Sequence, residues 1–193
     1  MSKGRAALAV ALFACVVVGS LVAICAEPNA VKPEVAIRKA EAQTVLYTLY
    51  RGPYDKVGPA IGKLFMLAGQ KGMAVRGPLA MIYLNNPQLV SSAHWLTELR
   101  IPVDKNALKL AGALGEFTDV KELPAFELAV VTKGEGVADL SPLMERLETW
   151  IRENGYTALE GPRETTLKGA ETGDYAKMLS EIAIPLQKIA EHK

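Results

Sequence analysis

Apolar residues in the first half of the chain change from strand-like to helix-like spacing and back. Residues 45–50, within an extended segment over 35–51, are apolar and β-branched and predict a strand that ends at the Gly52-Pro53 turn. The next apolar residues lie on one helical stripe and predict a helix over residues 55–70, which Gly72 ends: Val57, Ile61, Leu64, Phe65 and Ala68. Two further strands are predicted at residues 79–84 and 95–103.

The same order of elements returns in the second half. An extended segment is predicted at residues 126–132, followed by a helix that Gly155 ends and by strands near 156–167 and 178–187. Landmarks recur at a nearly constant offset, since Gly72 corresponds to Gly155, Gly77-Pro78 to Gly161-Pro162, and residues 98–103 to residues 181–186.

We therefore predict an α+β fold built from a tandem pseudo-twofold repeat of a strand-helix-strand-strand unit. Repeat one covers residues 35–103 and repeat two covers residues 115–188, with the connection near 104–115 between them. Each unit buries its helix on one sheet face, so the two units are expected to pack against one another. A central cleft between them is then the expected ligand site.

The first 26 residues have a different composition. Lys3 and Arg5 precede an uncharged apolar run over residues 6–26, which predicts an export signal cleaved after Ala26 or, if it is retained, a membrane anchor. Residues 27–34 are predicted as a linker. We expect the body to be exported, periplasmic or extracellular, and to meet the membrane only through this N-terminal segment.

Composition narrows the classes of function. Half of the 193 residues are hydrophobic, 22% are charged and the net charge is +1, which is typical of a globular domain and argues against a nucleic-acid binder. Both cysteines lie in the apolar run and only two histidines exist, which argues against a zinc cluster or a disulfide scaffold. Neither a metal nor a cofactor is predicted, and no nucleotide-binding or serine-hydrolase motif is present.

Two glutamates occupy equivalent positions in the repeats. Glu98 shares a strand face with Arg100, whereas Glu181 shares one with apolar Leu179 and Ala183, which favours an inward carboxylate at Glu181. Alternatively, both carboxylates point to solvent. A carboxylate in apolar surroundings has a raised pKa, and an organic cation would relieve the cost of burying it.

Aromatic residues that could contact such a cation lie in or beside the strands and turns, although core packing is the alternative explanation for each of them: Tyr47, Tyr50, Tyr54, Tyr83, Trp95 and Phe126. Glu164 is a further candidate acid, with pairing to its neighbour Arg163 as the alternative.

The ordered landmarks resemble the GyrI-like, or bacterial effector-binding, domain, which is the ligand-sensing part of AraC-type and multidrug-responsive regulators and also occurs free-standing. The resemblance spans residues 35–188 and rests on these segments: residues 52–54, 77–78 with 83–84, 98 with 101–103, 150–151 with 155–156, 161–164, and 181 with 184–186. It implies a cavity that holds lipophilic, often cationic, molecules against an acid among aromatic side chains. The acidic role then falls first on Glu181, next on Glu164 or Glu98, with Tyr83 and Tyr54 as wall residues.

The chain departs from the family pattern at two places in the second repeat. Gly136, and either Thr166 or Leu167, stand where the family usually has tyrosine. No helix-turn-helix precedes Val35, so a transcription factor is not expected as the whole function.

Three functions follow from these observations. The first is an exported sensor or sequestering protein that binds a small amphipathic molecule through Glu181, Glu164, Glu98, Tyr83, Tyr54, Tyr47 and Trp95. The second is a hydrolase of strained, cyclopropane-type electrophiles, with Glu181 activating water. The resemblance implies this alternative, because some members of the family hydrolyse such compounds. The third is tetrapyrrole binding, as in the similarly folded SOUL proteins, with His94 as the axial ligand.

Overall fold

The apolar stretches of the first half form four strands and one helix. The computed structural model describes residues 34–169 and 174–189. Residues 36–103 form β1 (Ala36–Ala40), β2 (Gln43–Arg51), α1 (Gly58–Gln70), β3 (Ala80–Tyr83) and β4 (Leu96–Val103). Short 3₁₀ turns at Tyr54–Lys56 and Ser92–His94 precede α1 and β4. The predicted helix of this half is confirmed, with α1 starting three residues later than expected, and so are the predicted strands at β3 and β4. The extended segment predicted over residues 35–51 forms two strands, β1 and β2, rather than one.

The second half contains five strands and one helix among its described residues. These are β5 (Thr118–Leu123), β6 (Phe126–Lys133), α2 (Ser141–Glu153), β7 (Tyr156–Ala158), β8 (Arg163–Lys168) and β9 (Leu179–Lys188). Strand β5 was not predicted, because residues 118–123 alternate charged and apolar side chains only weakly. The connection between the halves also contains a 3₁₀ segment, Lys105–Leu110.

Local sequence sets the ends of both helices. A proline stands in the first turn of each, where its missing N–H costs no hydrogen bond. Gly72 and Gly155 follow the two helices with φ of 66° and 74°, a left-handed conformation that glycine adopts without strain. The predicted helix stops are therefore confirmed.

All the strands of the described residues belong to one antiparallel sheet. The strand order is β1-β6-β9-β8-β3-β4-β2-β5, and β7 pairs with the far end of β9. The two halves meet as expected, but they do so within one continuous sheet. The halves join edge to edge through β3 and β8, and each half lends a strand to the other, since β1 pairs with β6 and β5 pairs with β2.

Both helices cover the same face of this sheet, which we call the helix face. A cross-strand row of paired residues runs Leu99, Met81, Glu164, Ile182, and directly paired residues point to the same side of an antiparallel sheet. Leu99 packs in one core cluster with Leu64 of α1, and Ile182 packs in a second with Leu147 of α2. The opposite side, the outer face, carries the alternate residues of each strand.

The predicted signal or anchor at residues 1–26, and nearly all of the linker, lie outside the described residues. Within residues 34–169 and 174–189, neither helix has the length and hydropathy needed to cross a bilayer.

Candidate functional site

Glu164 lies at the centre of the helix face. Its row of paired residues begins at the core cluster of α1 and ends at that of α2, so strands β3 and β8 place Glu164 between the two helices. The residue is 1% exposed. A carboxylate buried to this degree is costly unless hydrogen bonds satisfy it.

Two phenols supply those hydrogen bonds. The Tyr83 hydroxyl donates to Oε2 of Glu164 at 2.8 Å, and the Tyr175 hydroxyl lies 3.0 Å from both carboxylate oxygens. Tyr83 is buried in β3, and Tyr175 is half-buried at the start of a 3₁₀ turn, Tyr175–Lys177, that precedes β9. Residues from both halves therefore meet at one acid.

The two phenols are held in their protonated form. Burial and the negative charge of Glu164 raise the pKa of Tyr83 well above its usual value, and the same two causes raise the pKa of Tyr175. Both hydroxyls therefore remain hydrogen-bond donors to the carboxylate throughout the physiological pH range.

Further aromatic rings extend this cluster toward solvent. The ring centroid of Tyr54 lies 5.2 Å from that of Tyr83 in an edge-to-face arrangement and 4.4 Å from that of Trp95 in a stacked one. The Trp95 indole N–H points to the carbonyls of Pro87 and Val90, at 3.3 and 3.2 Å, which anchors the ring to the loop before β4. We call Glu164, Tyr83, Tyr175, Tyr54 and Trp95 the acid–aromatic cluster.

A groove of about 420 Å³, a volume in the range of small-molecule pockets, is lined by residues of α2, β7 and β9 and of the segment before β8, and none of the five residues of the acid–aromatic cluster lines it. Ile151 of α2, Ile184 and Pro162 form its apolar walls, and Glu148 and Arg152 of α2 lie at its side. Pro162 also links the groove to the cluster, because its carbonyl accepts a hydrogen bond from the Tyr83 N–H at 2.9 Å. The groove therefore adjoins the backbone of Tyr83 but not the Glu164 carboxylate.

The structure places Glu98 and Tyr47 away from this cluster, on the outer face. Glu98 accepts hydrogen bonds from Arg100 and, at 2.7 Å, from Lys121, whose ammonium lies 4.2 Å from the Tyr47 ring centroid. The predicted shared face of Glu98 and Arg100 is present. Burial, with the charges of Asp119 and Glu98, raises the pKa of Tyr47.

Glu181, the first choice for the buried acid, also lies on the outer face. Its carboxylate pairs with Arg38 of β1 rather than facing the helices. Leu179 and Ala183 are its face neighbours as expected, but this face is the one away from the acid–aromatic cluster. The acid at the centre of the helix face is Glu164 instead.

His94 lies at the surface. It is exposed in the turn before β4, and its Nδ1 is 2.9 Å from the Ser91 hydroxyl. Tetrapyrrole ligation by His94 stays a prediction. Within the part of the chain that the structure describes, no group of three His, Cys, Asp or Glu side chains is arranged as metal ligands.

Sequence reasoning missed Tyr175. The family pattern places the phenols of the second half at Gly136 and at residue 166 or 167, whereas Tyr175 stands in the connection just before the last strand. A tyrosine outside the strand pattern but close to a strand start was the available signal.

Comparison with known proteins agrees with this architecture. Residues 13–104 match the model of the GyrI-like small molecule binding domain. The chain contains a GyrI-like domain. No curated protein matches the chain.

Solved structures share the fold of this GyrI-like domain. The crystal structure of the EcmrR C-terminal domain is 21% identical, with a TM-score of 0.64, and the match covers 81% of this chain and 99% of that one. EcmrR in a cryo-EM complex with DNA is 20% identical with a TM-score of 0.65, over 82% of this chain and 59% of that chain. This chain therefore spans about three-fifths of the length of EcmrR.

A hydrolase from Listeria innocua also shares the fold, at 11% identity and a TM-score of 0.60, over 81% of this chain and 93% of that chain. At these identities the likeness concerns the fold alone.

Proposed function

We propose that this GyrI-like domain captures a small lipophilic molecule, often a cation, in the groove beside the acid–aromatic cluster. The observation that carries the proposal is the buried carboxylate of Glu164, which two phenols hold among aromatic rings. A carboxylate in such surroundings attracts an organic cation, and the rings add cation–π and apolar contact. The apolar walls of the groove suit the rest of the molecule.

Two glutamate variants test the site. A panel of aromatic quaternary ammonium and phosphonium ions is titrated by calorimetry against the wild-type chain, Glu164→Gln and Glu181→Gln. We expect Glu164→Gln to weaken binding about tenfold or more, since one charge interaction is lost, and Glu181→Gln to change it little. Absence of binding by every member of the panel, or equal loss in the two variants, contradicts the proposal.

We further propose that the domain acts outside the cytoplasm, as a sensor or sequestering protein. The apolar run over residues 6–26 behind Lys3 and Arg5 supports this. Expression of the full chain followed by fractionation and N-terminal sequencing of the product tests both export and cleavage after Ala26. Recovery of the intact chain from the cytoplasmic fraction would show that the apolar run is not an export signal.

A second candidate function is hydrolysis of a strained electrophile, with Glu164 in place of Glu181 as the acid. The pairing of a carboxylate with phenol donors favours it, since Glu164 can take a proton from water while the new hydroxyl bonds to a ring carbon and the strained carbon–carbon bond breaks. The carbon released in that step takes up the proton. Incubation with a cyclopropane-bearing alkylator distinguishes the two functions. A ring-opened product that Glu164→Gln abolishes supports hydrolysis, and recovery of the unchanged compound supports capture.

A further inference from the structure

Lys133 is a cation buried near the candidate site. It ends strand β6 on the helix face, where it pairs across the sheet with Ser180 of β9. Its relative exposure is 0%, and it is among the largest fully buried side chains of the described residues. A buried ammonium carries a large desolvation cost, so its partners define its role.

Those partners belong to the segment that holds Tyr175. The Lys133 ammonium donates to the carbonyls of Tyr175 at 2.9 Å and Met178 at 2.7 Å, and lies 4.3 Å from the centroid of the Tyr175 ring. None of the partners that the described structure gives Lys133 is a carboxylate. The phenol of Tyr175 in turn contacts Glu164 at 3.0 Å, so one side chain touches both buried charges.

We propose that Lys133 sets the charge preference of the Glu164 site. The inference rests on the proposed capture function and adds the class of ligand. Glu164 attracts a bound cation and Lys133 repels it, and both act through a poorly screened interior. Because the two charges sum to zero, the site takes lipophilic molecules with or without a positive charge rather than cations alone.

A matched pair of probes separates charge from shape. Benzyltrimethylammonium and its neutral carbon isostere, neopentylbenzene, have the same outline and differ by one charge. The ratio of their dissociation constants is measured on the full chain for wild type and for each variant. A change in this ratio reports on charge preference, whereas loss of structure weakens both probes alike.

Four variants are compared with the wild-type ratio. Lys133→Met is expected to shift it about tenfold toward the cation, and Glu164→Gln about tenfold toward the neutral probe. The double variant is expected to return to within about threefold of wild type, because its two buried charges are again balanced. Lys63→Met, which removes an exposed charge from α1, is the control and leaves the ratio unchanged.

The outcomes separate the two proposals. If wild type binds the probes and Lys133→Met weakens both equally, the role of Lys133 is overturned and the capture function stands. If wild type binds neither probe, both are overturned. If Lys133→Met shows no cooperative unfolding and is therefore not folded, Lys133→Arg and Glu164→Gln decide the question. Lys133→Arg must keep the wild-type ratio, and Glu164→Gln must shift it toward the neutral probe. Any other result overturns the inference.

Discussion

A buried tyrosine that donates to a carboxylate makes the folding stability of this protein depend on pH in the alkaline range. Tyr83 donates to Glu164, and burial, with the nearby negative charge, raises its pKa well above the ordinary value of 10. The folded state therefore holds this proton more tightly than the unfolded chain does. The resulting stability is fully present below about pH 10 and is lost as pH rises above it.

We expect the free energy of unfolding of wild type to fall more steeply than that of Tyr83→Phe above about pH 10, by up to about 1.4 kcal/mol per pH unit. Urea titrations at a series of alkaline pH values measure the difference between the two curves, in which lysine titration cancels. Tyr156→Phe is the control, because Tyr156 stacks on Trp150 in the second half, outside the acid–aromatic cluster. Parallel curves for wild type and Tyr83→Phe would contradict the assignment.

Sequence alternation placed side chains on faces correctly but did not say which face the helices cover. Glu98 and Arg100 share a face as predicted, and so do Glu181 and Ala183. The apolar neighbours of Glu181 suggested a ligand cavity, yet its carboxylate meets Arg38, a residue of the strand lent by the other half. Such a partner depends on long-range pairing, which the local pattern does not contain.

At the scale of elements, the joint between β3 and β8 is the shortest pairing along the main strand order of the sheet. Three residue pairs connect the two strands. Gly161 lies at this joint, and a Cβ atom there would stand 2.1 Å from the carbonyl oxygen of Tyr83. Only glycine allows the backbones to approach this closely, so the Gly161-Pro162 landmark has a structural reason.

Gly161→Ala is therefore expected to destabilise the protein by about 2 kcal/mol or more, because the clash involves backbone and cannot be relieved by a side-chain rotation. Gly62→Ala is the matched control within α1, where nothing lies within 4 Å of the added methyl group. There we expect stabilisation of about 0.5–1 kcal/mol from the higher helix propensity of alanine. Urea unfolding of both variants measures the difference, and a similar effect of the two substitutions would contradict the close approach at Gly161.

Element prediction succeeded where a segment buries its own apolar stripe. Both helices and the strands that carry their cores were predicted, since Leu64 and Leu147 stand in clear periodic patterns. Strand β5 was missed because it is an edge strand of which one residue, Val120, enters a core cluster. Local sequence patterns also do not predict that β1 and β5 pair with strands of the opposite half, because this pairing joins residues far apart in the chain.

At the scale of the whole molecule, a charge network crosses the joint on the outer face. Arg100 of β4 donates two hydrogen bonds to Glu160, at 3.0 and 2.8 Å, and Arg163 contacts the same carboxylate. Although burial opposes ionisation, the two arginines hold the pKa of Glu160 below its ordinary value. This network stabilises the three-residue pairing of β3 and β8 from the outer face of the sheet. Glu164 lies on the opposite, helix face of β8.

One sheet with exchanged strands should unfold as one unit. Trp95 and Trp150 lie in different halves and are the two tryptophans of the chain, so Trp150→Phe and Trp95→Phe leave one fluorescent reporter in each half. We expect both reporters to give the same urea midpoint.

Arg100→Met removes a buried partner of Glu98 and Glu160, costs about 3 kcal/mol, and should lower both midpoints together. Lys39→Met, from an exposed ion pair, is the control and should leave them unchanged. Separate midpoints, or a shift of the Trp95 reporter alone, would mean that the halves fold independently and that Arg100 stabilises only its own half.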